Sequence, residues 1–194
     1  MTVTRGTIAM TLTQAALGKT TLFRQALLAL GGAAFIAAAA QVSIGWPVPI
    51  TLQTLAILMV GLTFGSRLAL ATMIAYLGYG AMGLPVFANG GSVASLVGPT
   101  AGFLYGFVAM AWLAGLAVEK GIARGVVSTA LVGIALSAMI YIPGLAWPAA
   151  MLGKTMPELW AGWMAPFLLG DAIKAVIAAL LVTGAWKVLS GRNA

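Results

Sequence analysis

Pro166-Phe167-Leu168-Leu169-Gly170-Asp171-Ala172-Ile173-Lys174-Ala175-Val176-Ile177-Ala178-Ala179-Leu180-Leu181-Val182 is an apolar run broken by one acid and one base. A run of this kind reads as a membrane helix, because in lipid the backbone must satisfy its own hydrogen bonds. Charges inside such a span cost several kcal/mol unless they are paired or face water. Asp171 and Lys174 are three apart, so they share one helix face about one turn apart. With the span running from Pro166 to Leu189 and its outer end near Pro166, they sit roughly 8 to 12 Å below that end. This predicts a polar spot in the outer half of a bundle. It is either a bridge locking the last helix to a neighbour or a ligand site open to the outside, and the second is the favoured reading.

The rest of the chain has the same character. Its 194 residues are 62% hydrophobic and 7% charged, against roughly 25% charged in a soluble domain. So few charges cannot coat a soluble fold of this size. That excludes a soluble enzyme, a disordered chain and a nucleic-acid-binding domain. The net charge of +7 comes from basic residues scattered between apolar runs, which reads as cytoplasmic loop charge. The chain has no Cys and no His, so it has no disulfide framework, no thiolate and no imidazole shuttle. Three acids, Glu119, Glu158 and Asp171, build no catalytic metal cage, and no enzyme activity is expected.

Six segments are long enough to span: Gln25–Ile44, Ile50–Phe64, Leu68–Leu84, Thr100–Val118, Gly125–Leu145 and Pro166–Leu189. The expectation is an all-α polytopic membrane protein, with residues 1–24 as a cytoplasmic arm and residues 25–194 as the membrane domain. Arg5, Lys19, Arg24, Arg67, Lys120, Arg124, Lys187 and Arg192 fall on one side, and Lys154 alone on the other. The positive-inside rule then places both termini in the cytoplasm. Trp46, Trp147, Trp160 and Trp163 are expected at the outer boundary, and Trp186 at the inner one. Ala37 to Gln41 after Arg24 resembles a cleavage site, but the first segment reads better as a retained helix. Small residues recur four apart at Gly61 and Gly65 and at Gly102 and Gly106, a spacing that lets helices approach closely within the chain. Ala29, Ala33 and Ala37, and likewise Ala34 and Ala38, extend the pattern along most of the first helix, and the Ala29–Ala33–Ala37 stripe predicts a face for another membrane subunit; self-association is also open.

Two motifs mislead. Gly78-Tyr79-Gly80-Ala81-Met82-Gly83 matches G-x-G-x-x-G, but it ends a membrane helix and no acid follows at the required distance. Gly18-Lys19-Thr20 and Gly153-Lys154-Thr155 carry the end of a P-loop, but Thr13 and Pro148 stand where its first glycine belongs. No ATPase site is present, so uphill transport with ATP requires another chain to hydrolyse it, and no cofactor is expected here.

The connection Leu84–Thr100 is uncharged, apolar and glycine-rich. A loop this long in a bundle is usually functional or disordered, and its apolar content favours a lid dipping into the bundle mouth. Asn89 offers the lid a donor and an acceptor. Gln53 and Tyr141 fall near the outer ends of their helices. Together with Asp171 and Lys174 these groups predict a small, mostly apolar ligand with a few hydrogen-bonding atoms, for which the lysine accommodates an anionic group.

Four stretches carry a family resemblance: Val48-Pro49-Ile50-Thr51-Leu52-Gln53-Thr54-Leu55, Gly83-Leu84-Pro85-Val86-Phe87-Ala88, Gly98-Pro99-Thr100-Ala101-Gly102-Phe103-Leu104-Tyr105-Gly106-Phe107 and Pro166-Phe167-Leu168-Leu169-Gly170-Asp171-Ala172-Ile173-Lys174. In this order and spacing they resemble the BioY family, the biotin-binding S components of energy-coupling factor (ECF) transporters. The resemblance implies a six-helix protein in a prokaryotic inner membrane, with biotin captured at the outer side as the transported ligand. It implies a transmembrane coupling subunit and cytoplasmic ATPase subunits as partners, with small residues of the first helix contacting the coupling subunit. Asp171 and Lys174 resemble the pair that meets the polar part of biotin. Asn89 and the Gly98-Pro99-Thr100 turn resemble the loop contacts. An S component for another vitamin and a small self-sufficient carrier or channel are the competing readings.

Overall fold

The long apolar runs do fold as helices, and the places where they break position the site. A computed structural model describes residues 10–18, 20–44 and 49–191; Arg5, Lys19, Trp46 and Arg192 lie outside the described residues. The helices are α1 (Leu12–Leu17), α2 (Leu22–Gln41), α3 (Gln53–Phe64), α4 (Ser66–Ala81), α5 (Val93–Val97), α6 (Ala101–Glu119), α7 (Val126–Met139), α8 (Tyr141–Leu152), α9 (Met156–Leu159) and α10 (Ala165–Gly191). One small antiparallel hairpin, β1 (Ser43–Ile44) and β2 (Ile50–Thr51), pairs Ser43 with Thr51 and Ile44 with Ile50. The chain is therefore mostly helical, with one short strand pair that the all-α expectation did not contain.

Among the described residues, four continuous helical stretches are long and apolar enough to cross a membrane: Leu22–Gln41, Ala101–Glu119, Val126–Leu152 and Met156–Leu189. Helices α3 and α4 have 12 and 16 residues, short of the roughly 20 that a full crossing takes. Large apolar side chains such as Ile74, Val127, Ile142 and Leu169 stand more than half exposed. A soluble protein rarely shows so much, and lipid is the medium that suits them.

Three boundaries differ from the sequence expectation. Helix α2 stops at Gln41 because the next residues extend into β1. The fifth run continues to Leu152 and is divided at Ile140; Pro143 has no N–H for the carbonyl of Met139, so the ladder is interrupted there. The last helical stretch starts at Met156, ten residues before Pro166. Thr155 and Glu158 form its capping box, with Thr155 N and Oγ1 at 2.9 and 2.8 Å from Glu158 Oε2, the paired arrangement that satisfies a first-turn donor. Asp171 and Lys174 thus lie about four turns into a long helix rather than two.

Close approaches at small residues hold the bundle together, as expected where lipid removes the hydrophobic contrast between helices. Gly61 of α3 lies on Ala111 and Ala114 of α6, so that a Cβ there would be 2.6 Å from the Ala114 methyl. Gly102 and Gly106 of α6 receive Pro143 of α8, and Gly133 of α7 receives Ala175 of α10. The first-helix stripe is corrected in the same way. Ala29 and Ala33 are buried inside this chain, because Gly32 beside them lets α2 press on Phe64 and Thr72. Ala37 is half-buried, and the outward small residues of α2 are Gly31, Ala34 and Ala38.

Candidate functional site

The break at Ile140 swings α8 so that Tyr141, its first residue, points to the middle of α10. Tyr141 OH donates to Asp171 Oδ2 at 2.6 Å. Thr54, in the first turn of α3, donates to Asp171 Oδ1 at 3.2 Å. Lys174 Nζ donates to the same oxygen at 3.1 Å. Asp171 and Lys174 are 6% and 9% exposed. A buried carboxylate needs its charge paired and hydrogen bonds to its oxygens, and this one has a cation and three donors. An ammonium has three N–H donors, and one is used here. The pair therefore keeps donors on Lys174 and one acceptor position on Asp171 Oδ2.

A small cavity of about 50 Å³ is lined by the pair with Thr54, Tyr141, Trp163 and Phe167. The five-residue π turn Trp160–Met164 shifts the helix phase at this point, as such turns do near functional sites. It brings Trp163 inward, so this residue is not part of the outer aromatic belt; it is buried beside the charges. Phe103 packs edge-on against Tyr141, with ring centroids 5.9 Å apart. A second cavity of about 170 Å³ shares Pro49, Thr51 and Phe103 with the first, so the two adjoin.

The second cavity is roofed by the segment between α4 and α6. Phe87 is the hinge of that roof. Its ring fills the notch left by the missing side chain of Gly80 and meets Tyr76 edge-on at 5.2 Å. The glycine run at the end of α4 thus makes room for an aromatic plug. Gln41 Nε2, at the end of α2, donates to the carbonyls of Phe87 and Pro85 at 3.1 and 3.3 Å. Asn89 adopts a left-handed backbone, φ 55°, which asparagine tolerates better than most residues, and its Oδ1 accepts from Ser43 Oγ at 2.6 Å. The roof is thereby tied to the end of α2 and to the hairpin.

Of the residues expected from sequence, Asp171, Lys174 and Tyr141 meet at one cavity, and Gln53, Asn89 and Thr100 line the other. Gly98 and Pro99 line neither; the carbonyl of Gly98 accepts from Trp147 Nε1 at 2.9 Å, which anchors the roof to α8. Sequence reasoning missed Thr54, Phe103, Trp163, Gln41 and Tyr76. Thr54 was within reach, as a hydroxyl beside Gln53 in an apolar helix. Trp163 depends on the π turn, which no spacing announces.

Fold and site together define a membrane protein with two adjoining cavities, one of them lined by a buried charge pair. The sequence matches the BioY family over residues 3–191, and the chain belongs to that family. Among curated proteins, the biotin transporter BioY of Rhizobium etli is 38% identical over 72% of this chain and 79% of its own length. The biotin transporter BioY of Rhodobacter capsulatus is 38% identical over 82% of this chain and 87% of its own. Among solved structures, the S-component for biotin from an ECF-type ABC transporter superposes with a TM-score of 0.76 and 24% identity, covering 87% of this chain and 95% of that one. The two share a fold.

Proposed function

We propose that this chain is the biotin-binding substrate-capture subunit, the S component, of an ECF-type vitamin transporter. Family membership sets the class, and the observation that carries the reading is the Asp171–Lys174 pair. It is buried, its carboxylate holds three donors, and both residues line a partly aromatic cavity that adjoins the roofed one. Biotin offers what such a cavity takes: an apolar body, a ureido ring with two N–H groups and a carbonyl, and a carboxylate. Lys174 supplies N–H to a ligand oxygen; Asp171 Oδ2 accepts N–H. Enclosing nearly all of the ligand offsets the cost of ordering the roof.

In this reading the protein sits in the plasma membrane of a prokaryote with six crossing segments, α3 and α4 providing two short ones, and with both termini in the cytoplasm. It performs no catalysis and carries no cofactor. A transmembrane coupling subunit and cytoplasmic ATPase subunits supply the energy. The exposed face of α2, with Gly31, Ala34 and Ala38, offers a close-packing surface to the coupling subunit. Titration calorimetry of the detergent-solubilised protein with biotin, thiamine and riboflavin tests the proposal: heat with biotin alone is expected, and no heat with biotin rejects it.

A further inference from the structure

Tyr76 lies outside both cavities, fully buried in α4, and it has a single hydroxyl proton. That hydroxyl is 3.1 Å from the backbone oxygen of Val86 and 2.8 Å from the side-chain amide of Gln53. A carbonyl oxygen only accepts, so the tyrosine proton goes to Val86. The Tyr76 oxygen is then an acceptor toward Gln53, and the group facing it must be the amide nitrogen. The orientation of Gln53 is thus decided by donor and acceptor order alone, which is how amide orientation is properly assigned.

Gln53 lines the larger cavity. With its nitrogen on Tyr76, its Oε1 is left without a hydrogen bond among the described residues. That oxygen is not sealed either: among the described residues the buried side-chain atoms lacking a partner are Thr129 Oγ1 and Ser137 Oγ. We infer that Tyr76 is a positioning residue for specificity: by holding the Gln53 amide nitrogen, it presents Gln53 Oε1 to the cavity as an acceptor for a ligand N–H.

The inference rests on the biotin reading for the ligand's identity. Biotin's only N–H donors at neutral pH are the two of its ureido ring, so Gln53 reads that ring. Val86 belongs to the roof. While the roof is closed, the tyrosine proton is committed to Val86 and the amide has one orientation. If the roof lifts, the hydroxyl is free to donate to Gln53 Oε1 instead, and the acceptor is withdrawn.

The test compares biotin with two analogues, each methylated at one ureido nitrogen, by calorimetry on wild type, Tyr76→Phe and Gln53→Ala. The readout is the affinity ratio of biotin to analogue, which is unaffected by partial loss of folded protein. Wild type is expected to prefer biotin over one of the analogues. Tyr76→Phe should shrink that preference about fivefold, the worth of one hydrogen bond, and Gln53→Ala should abolish it. A preference that is absent in wild type, unchanged in Tyr76→Phe or retained in Gln53→Ala overturns the inference while biotin binding stands. A wild type that binds none of the three ligands overturns the biotin reading, and this inference with it.

Discussion

Two carboxylates in this molecule are satisfied in opposite ways. Asp171, near the roofed cavities, holds three side-chain donors and still lines empty space. Glu119, at the end of α6, is wedged into the turn between α3 and α4. Its Oε1 accepts from Ser66 N at 2.7 Å and its Oε2 from Ser66 Oγ at 2.8 Å. A Cβ on Gly65 would lie 2.7 Å from that Oε1, so the contact depends on glycine, whose φ of 81° also makes the sharp turn possible. Glu119 therefore caps the Ser66 N–H at the start of α4, where negative charge is favourable. The lesson is that hydrogen bonding of an acid in the helical region does not mark a site; unused hydrogen-bonding capacity beside open volume does.

The contrast is most exposed at Asp171. Asp171→Asn and Lys174→Ala should each weaken biotin binding at least about tenfold while the protein still inserts, since breaking a buried pair strands a charge at a cost of about 3 to 5 kcal/mol. Calorimetry on the purified variants reads this, and unchanged affinity in both returns the pair to a packing role. Tyr141→Phe comes next. It leaves the charges paired but removes the 2.6 Å hydrogen bond, and about a fivefold loss of affinity is expected by the same titration.

Glu119→Gln sharpens the other side. A lost charge-assisted bond at a helix start should lower stability by roughly 1 to 2 kcal/mol, seen as a lower unfolding temperature in detergent, with biotin affinity within about twofold of wild type. An affinity loss comparable to that of Asp171→Asn would erase the distinction between the two acids. The smallest effects belong to the ties of the roof. Ser43→Ala removes the bond to Asn89, and biotin should dissociate a few times faster in stopped-flow measurements because one exposed hydrogen bond is worth about 1 kcal/mol. An unchanged dissociation rate would mean that this tie does not hold the roof.

What could be read from sequence follows the strength of each local signal. Asp171 and Lys174 stood out because charge in an apolar run has few explanations. The roof stood out because a long uncharged loop does. The Thr155–Glu158 capping box was equally legible, and passing over it put the last helix ten residues late and the charge pair too near its end. The Ala29–Ala33 stripe failed for a different reason. Small residues report close packing but not which neighbour is packed, and here Gly32 turned the stripe toward Phe64 and Thr72. The π turn that delivers Trp163 and the donor order that orients Gln53 are tertiary facts with no one-dimensional signature.

The most direct measurement is an experimental structure of the protein loaded with biotin. The account predicts the vitamin beneath the 84–100 segment, with a polar atom of biotin within hydrogen-bond distance of Lys174 Nζ or Asp171 Oδ2. Biotin seated away from those two side chains, or the pair turned toward lipid, would contradict it.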